Sequence, residues 1–313
     1  MRIRSIAAAS GLLLGASAFI LPAASAQAAD HPHSPVTVAH RGASAYAPEN
    51  TLAAVDAAAK LKIDWVENDV QRTKDGKLIV IHDTTLNRTT NVEEVFPGRA
   101  PWKVSDFTLK EIQRLDAGSW FNPKFTGERV PTLKQYMDRV SRNHQKLLLE
   151  FKAPELYPNI ERETLNELRH QGWLNRQHVK HRLIIQSFNA DSVKTTHELR
   201  PDVKTGFLGT PAVADLPKFA KFADQINPHF GSVDPEYVAA VKAVRGAHGK
   251  PLEVYTWTVD DAAVAVKVAK AGVTGIITNK PDVIRDAVSH KGKPGKPGKP
   301  GKNTSAQQVG AAA

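Results

Sequence analysis

The chain has 313 residues, enough for one large barrel or two ordinary domains, and no cysteine, which excludes disulfides and thiolate metal sites. Its formal net charge of +10 gathers at the ends: Arg2 and Arg4 in residues 1–28, and five lysines after His290, with no acid in either segment. The span between is only mildly basic, so no nucleic-acid partner is expected.

Residues 1–28 read as a secretory signal. Arg2 and Arg4 form a positive start, Ile6 to Leu21 an apolar, alanine-rich run, and Ala26-Gln27-Ala28 a small-x-small cleavage site. The other reading is a membrane anchor, but the apolar run is short for a bilayer and stops at Pro22. Export after cleavage is the expectation, with residues 29–289 as the folded domain.

Val36 to Ala39 form a short apolar strand leading into His40-Arg41-Gly42. Asn50 or Thr51 can cap the next helix, whose Leu52, Val55 and Ala59 fall on one face. Trp65 to Val70 is a second strand; Glu67 and Asp69, two apart, leave it on one face and Val66 and Asn68 on the other. Asp75-Gly76 then makes a turn before the apolar run Leu78 to Ile81. Too few residues separate the two runs for a parallel crossover. The spacing predicts an antiparallel hairpin that carries His82, in Ile81-His82-Asp83, back beside Glu67 and Asp69.

Residues 84–131 interrupt the strand rhythm with Gly, Pro, Asn and aromatics, although Thr108 and Glu111 make a capping box for a short helix. They read as an inserted lobe at the mouth of the site. Beyond them strand and helix alternate: strands Leu147 to Phe151, Leu183 to Ile185, Val203 to Leu208, one near Ile226, Leu252 to Thr256 and Gly275 to Thr278, with helices such as Thr132 to Arg142 and Asp261 to Ala271. Without the hairpin return, eight strands remain, each separated by room for a crossover. The expected fold is α/β, a (β/α)8 TIM-type barrel with a hairpin at its second strand; a doubly wound sheet is the alternative. From His290 the repeating Lys, Gly and Pro residues read as a flexible basic tail.

Glu67, Asp69 and Glu150 sit near strand ends and, in a barrel, face a common centre. Carboxylates so held repel one another unless protonated or neutralised by a cation. Oxygen-only ligands point to one hard divalent ion, Ca2+ or Mg2+. Surface acids or a simple Glu150–Lys152 pair are the bland alternative. His40 and His82 flank the cluster as acid/base candidates, since imidazole can take or give a proton near neutrality. Arg41 and Lys152 suit a phosphate, Arg41 through its planar fork of donors; both could equally pair with the nearby acids.

The ordered set Ala39-His40-Arg41-Gly42, Pro48-Glu49-Asn50-Thr51, Glu67-Asn68-Asp69, Thr73-Lys74-Asp75-Gly76, Ile81-His82-Asp83 and Glu150 with Lys152 resembles the glycerophosphodiester phosphodiesterase family, from about Val36 to Asp282. Gln186-Ser187-Phe188 and Tyr255-Thr256-Trp257-Thr258-Val259 match further motifs, making Gln186, Phe188 and Trp257 candidates for substrate contact. The resemblance implies the same barrel, a small insertion at 84–131, a divalent metal on the three carboxylates and catalysis by both histidines. It also implies attack by the substrate's glycerol hydroxyl, giving a cyclic phosphate that water opens. Which histidine is acid and which is base stays open. The chain departs from the family pattern at Asn68, at Asp260, where asparagine is frequent, and at Asn279, where aspartate is usual.

The expected activity is export-linked hydrolysis of small glycerophosphodiesters to sn-glycerol 3-phosphate and an alcohol. Glycerol-phosphate wall polymers or lysophospholipids, in a phospholipase D-like reaction, are alternative substrates. A catalytically dead surface-binding protein, held by its tail at an anionic cell wall or membrane, is the non-enzymatic alternative.

Overall fold

A computed structural model describes residues 34–289 of the chain. The signal read in residues 1–28 and the tail read from His290 lie outside the described residues. The strands are β1 (Val36–Ala39), β2 (Trp65–Arg72), β3 (Leu78–Val80), β4 (Lys146–Phe151), β5 (Leu183–Ser187), β6 (Lys204–Leu208), β7 (Gln225–Asn227), β8 (Glu253–Thr256) and β9 (Gly275–Thr278).

Eight of them run parallel in the cyclic order β1, β2, β4, β5, β6, β7, β8, β9. Val38 pairs with Trp65 on one side and Ile277 on the other, which closes the barrel and rules out an open doubly wound sheet. The ninth strand, β3, returns antiparallel along β2, with Val70 opposite Val80 and Arg72 opposite Leu78. The expected hairpin is therefore present. β2 runs to Arg72 rather than stopping at Val70, because Gln71 and Arg72 still find partners in β3.

Local signals set the helix starts. The Thr51 hydroxyl accepts from the Ala54 N–H to begin Leu52–Lys60, and Thr132 with Gln135 forms a capping box for Leu133–Arg142. Strand residues alternate between two cores. Leu147 and Leu149 face the helices and pack with Val66, Tyr136 and Met137. Leu148 faces inward with Val38, Ile184, Tyr255 and Ile277, a plug that fills the barrel below the site. Burying each such large side chain contributes about 1.5–3 kcal/mol.

Residues 84–131 carry an apolar cluster of their own. Leu86, Val104, Phe107, Ile112 and Leu115 pack against Ile79 of β3 and against Ile81. The capping box at Thr108 and Glu111 forms both of its bonds. This segment thus rests on the hairpin, next to the strand that delivers His82.

Candidate active site

At the end of β1 the backbone turns sharply through Arg41 and Gly42, both with positive φ. A Cβ on Gly42 would come within 2.6 Å of the Ala54 Cβ, so only glycine fits this approach. In this turn the Arg41 N–H donates to Glu67 Oε2 at 2.8 Å. Its guanidinium donates to Glu49 Oε1 at 2.8 Å and lies 3.5 Å from Asp69 Oδ2. Asn50, also left-handed, donates from Nδ2 to Asp69 Oδ2 at 2.8 Å.

Glu67 and Asp69 leave β2 on one face, and parallel pairing sets Asp69 directly opposite Glu150 on β4. One oxygen from each of the three lies within 4.8 Å of the others, and all three residues are buried. Glu67 Oε1 is buried with no hydrogen-bond partner. Burial, reinforced by Asp69 and Glu150, pushes the Glu67 carboxyl well above the usual range. Burial and the Asp69 charge push Glu150 up to about 7, against the pull of Lys152. Burial also works against the Asp69 anion, but Arg41, His82, Lys152 and the Asn50 amide hold it below its ordinary value. One anion and two carboxyls reluctant to ionise, with an orphaned oxygen among them, make a cage that a hard divalent cation would complete.

Lys152, just past β4, places Nζ 2.9 Å from Glu150 Oε1 and 3.9 Å from Asp69 Oδ1. Both histidines are fixed through Nδ1. His40 Nδ1 is 2.7 Å from Asn279 Oδ1 and His82 Nδ1 is 2.7 Å from Asp83 Oδ1. Burial and the neighbouring Arg41 charge lower the His40 ring to about 4. His82 is also lowered, chiefly by burial, with the Asp69 charge opposing. Across the mouth, the Phe188 and Trp257 rings meet edge to face at 5.2 Å. Phe188 is 48% exposed, so this apolar rim is open to solvent.

One pocket is lined by His40, Arg41, Glu67, His82, Glu150, Lys152, Gln186, Phe188 and Trp257. The sequence expected these nine and Asp69 to form the site. Asp69 sits just behind the pocket wall, 1% exposed. A barrel with two histidines, a cationic pair and a carboxylate cage at the C-terminal ends of its strands can hold a phosphodiester and move protons on both sides of it.

Residues 40–283 match the Glycerophosphoryl diester phosphodiesterase family. The chain belongs to this family. The glycerophosphodiester phosphodiesterase of Bacillus subtilis (strain 168) is 36% identical over 300 residues, covering 90% of this chain and 97% of its own. That of Caldanaerobacter subterraneus subsp. tengcongensis is 36% identical over 260 residues, covering 82% of this chain and 99% of its own. Among solved structures, an Oleispira antarctica phosphodiesterase in complex with the product sn-glycerol-3-phosphate superposes with a TM-score of 0.70 at 28% identity. It covers 82% of this chain and 97% of its own.

Within this glycerophosphoryl diester phosphodiesterase family member, sequence reasoning overlooked residues that hold the site rather than line it. Asn50 clamps Asp69. Arg88, in the inserted segment, donates to both Glu49 and Asp83, and so ties Arg41 to His82. Asn279, marked in the sequence only as a departure from the family pattern, is bonded to His40. The Pro48-Glu49-Asn50-Thr51 and Ile81-His82-Asp83 motifs contained part of this signal; the partnership of residues 40 and 279, brought together only by barrel closure, did not show in any spacing.

Proposed function

We propose that this protein is a metal-dependent glycerophosphodiester phosphodiesterase that releases sn-glycerol 3-phosphate and an alcohol, with His40 and His82 as the proton-transfer pair. The observation that carries this reading is the convergence of both histidines, Arg41 and Lys152 on the cage of Glu67, Asp69 and Glu150 in one pocket. Family membership supplies the substrate class, and the product-bound relative supports the glycerol phosphate product.

Glu67, Asp69 and Glu150 would hold one Ca2+ or Mg2+ ion. When bound, the ion supplies Lewis-acid polarisation of the phosphate and stabilises negative charge developing on its oxygens. Arg41 and Lys152 bind and orient the phosphoryl oxygens. One histidine removes the proton from the glycerol hydroxyl next to the phosphate. That oxygen forms a bond to phosphorus as the bond to the alcohol oxygen breaks, and the other histidine protonates the departing alcohol. Water then opens the cyclic phosphate, so one water is consumed for each diester cleaved. Gln186, Phe188 and Trp257 form the wall and rim against which the glycerol and its alcohol group would pack. The open rim leaves room for a larger alcohol, which keeps lysophospholipids and wall polymers as second substrates.

The N-terminal sequence supports export, and the five tail lysines support retention at an anionic wall or membrane surface. Choline release from glycerophosphocholine, measured with added Ca2+ or Mg2+ and again with excess chelator, tests the central reading. Release that chelation abolishes and cation restores is expected; a folded protein inactive with every cation would refute it.

A further inference from the structure

The two histidines are held by unlike partners. Asp83, beside His82, is a carboxylate, whereas Asn279, beside His40, is an amide with a donor on one side and an acceptor on the other. Which side of the amide meets His40 is decided by Asp260. Its Oδ2 accepts from Asn279 Nδ2 at 2.6 Å, and its Oδ1 accepts from the Asn279 backbone N–H at 2.8 Å and from the Thr278 hydroxyl at 3.0 Å. An ionised carboxylate has no proton to give, so the amide must turn its NH2 toward Asp260 and its oxygen toward His40.

An oxygen 2.7 Å from His40 Nδ1 requires a proton on that nitrogen. In the neutral ring the second nitrogen, Nε2, then carries a lone pair. It lies on the far side of a ring that lines the pocket. We propose that Asn279, oriented by Asp260, is a positioning residue that locks His40 in the Nδ1–H tautomer and so keeps its Nε2 lone pair available for proton exchange in the pocket.

The two positions where the chain departs from the family pattern, Asp260 and Asn279, are thus direct partners. Their residue types stand exchanged relative to the Asn and Asp that the family resemblance implies at these positions. The exchange keeps one charge and one amide in the pair but moves the charge one residue away from His40. Asn279→Asp alone would press two carboxylates together. Asp260→Asn alone would free the amide of Asn279 to rotate. Asp260→Asn with Asn279→Asp rebuilds an acceptor beside His40 and a donor behind it.

This inference rests on the phosphodiesterase reading for its catalytic meaning, but its first test needs no substrate. In uniformly 15N-labelled protein at neutral pH, the His40 imidazole, assigned by its loss in His40→Gln, should show a protonated Nδ1 and an unprotonated Nε2. Asp260→Asn should lose that single tautomer and lower kcat at least about tenfold while KM changes less than about twofold. The double exchange should restore the Nδ1–H signal and most of kcat. A wild-type ring protonated on Nε2, or an Asp260→Asn variant with unchanged kcat, would overturn the proposal, and so would a folded double variant no better than Asp260→Asn. A wild type that turned over no diester would overturn the activity reading, and the spectrum would still judge the tautomer.

Discussion

Arg88 Nη2 donates to Asp83 Oδ1 at 3.0 Å, the same oxygen that lies 2.7 Å from His82 Nδ1. The same nitrogen reaches Glu49 Oε1 at 2.7 Å, and that oxygen accepts from Arg41 at 2.8 Å. One arginine of the inserted segment therefore steadies His82 and Arg41, the arginine proposed to hold the phosphate, together. Although burial works against it, the Arg88 and His82 hydrogen bonds hold the Asp83 carboxyl down to about 2, so it is ionised across the working range.

Arg88→Ala should lower kcat by about ten- to a hundredfold, the loss expected when charge-assisted hydrogen bonds of about 1.5–3 kcal/mol no longer orient the reacting groups. Arg88→Lys should recover little, since Lys cannot span Glu49 and Asp83 with a planar fork. Steady-state kinetics on glycerophosphocholine check this; wild-type kcat in Arg88→Ala would remove the inserted segment from catalysis.

His40→Ala and His82→Ala should each reduce turnover by at least about a hundredfold with the fold intact by circular dichroism, because the proposed mechanism gives each one proton-transfer step. Near-normal activity in either variant would take that histidine out of the mechanism.

Metal binding should depend on pH through Glu67 and Glu150. Both carboxyls are raised in the metal-free protein, Glu150 to about 7, so a cation must displace protons to bind. Calorimetry at pH 6 and pH 8 should show tighter binding at the higher pH, with proton release that varies with buffer ionisation heat. For stability the sign is the reverse. Groups whose folded pKa is raised stabilise the protein below their unfolded pKa, and that contribution is lost as pH rises through the folded value. The metal-free protein should thus lose melting temperature from pH 5 to pH 8, and cation should restore it. Glu67→Gln and Glu150→Gln should flatten both trends; binding that is independent of pH would show that the carboxyls are already ionised.

A substrate hydroxyl positioned beside the phosphate reacts far faster than a water from solution, through its high effective molarity. Glycerophosphoethanolamine should therefore outpace its 2-deoxy analogue by at least about a hundredfold in kcat. Equal rates would argue for direct attack by water.

The tail should act on location and not on chemistry. A protein ending at Ser289 should keep its kcat on glycerophosphocholine but no longer co-sediment with anionic vesicles at low salt. Salt should release the longer protein, as screening weakens each lysine's attraction. Equal pelleting of the two proteins at low salt would show that the lysines are no anchor.

The main features of the site were legible in the sequence because strand geometry is local. Two residues apart on a strand means one face, so Glu67 with Asp69, and Glu150 with Leu148 beneath it, could be placed without coordinates. The hairpin followed from a turn too short for a crossover, and it delivered His82. What sequence spacing could not show was which polar side chain stands behind each functional one. Asn279 meets His40 only because β9 closes on β1. Arg88 reaches Glu49 across 39 residues only because the inserted segment packs on the hairpin. Asn68 faces the helix layer as expected, yet both its amide atoms are buried without partners, and nothing in the structure explains that choice.

The most direct test is the identity of the bond cleaved. 31P spectra of purified protein with glycerophosphocholine and Ca2+ or Mg2+ should show the diester signal replaced by sn-glycerol 3-phosphate, with equimolar choline and no reaction in excess chelator. Phosphocholine with free glycerol, or the same turnover in chelator, would contradict the account.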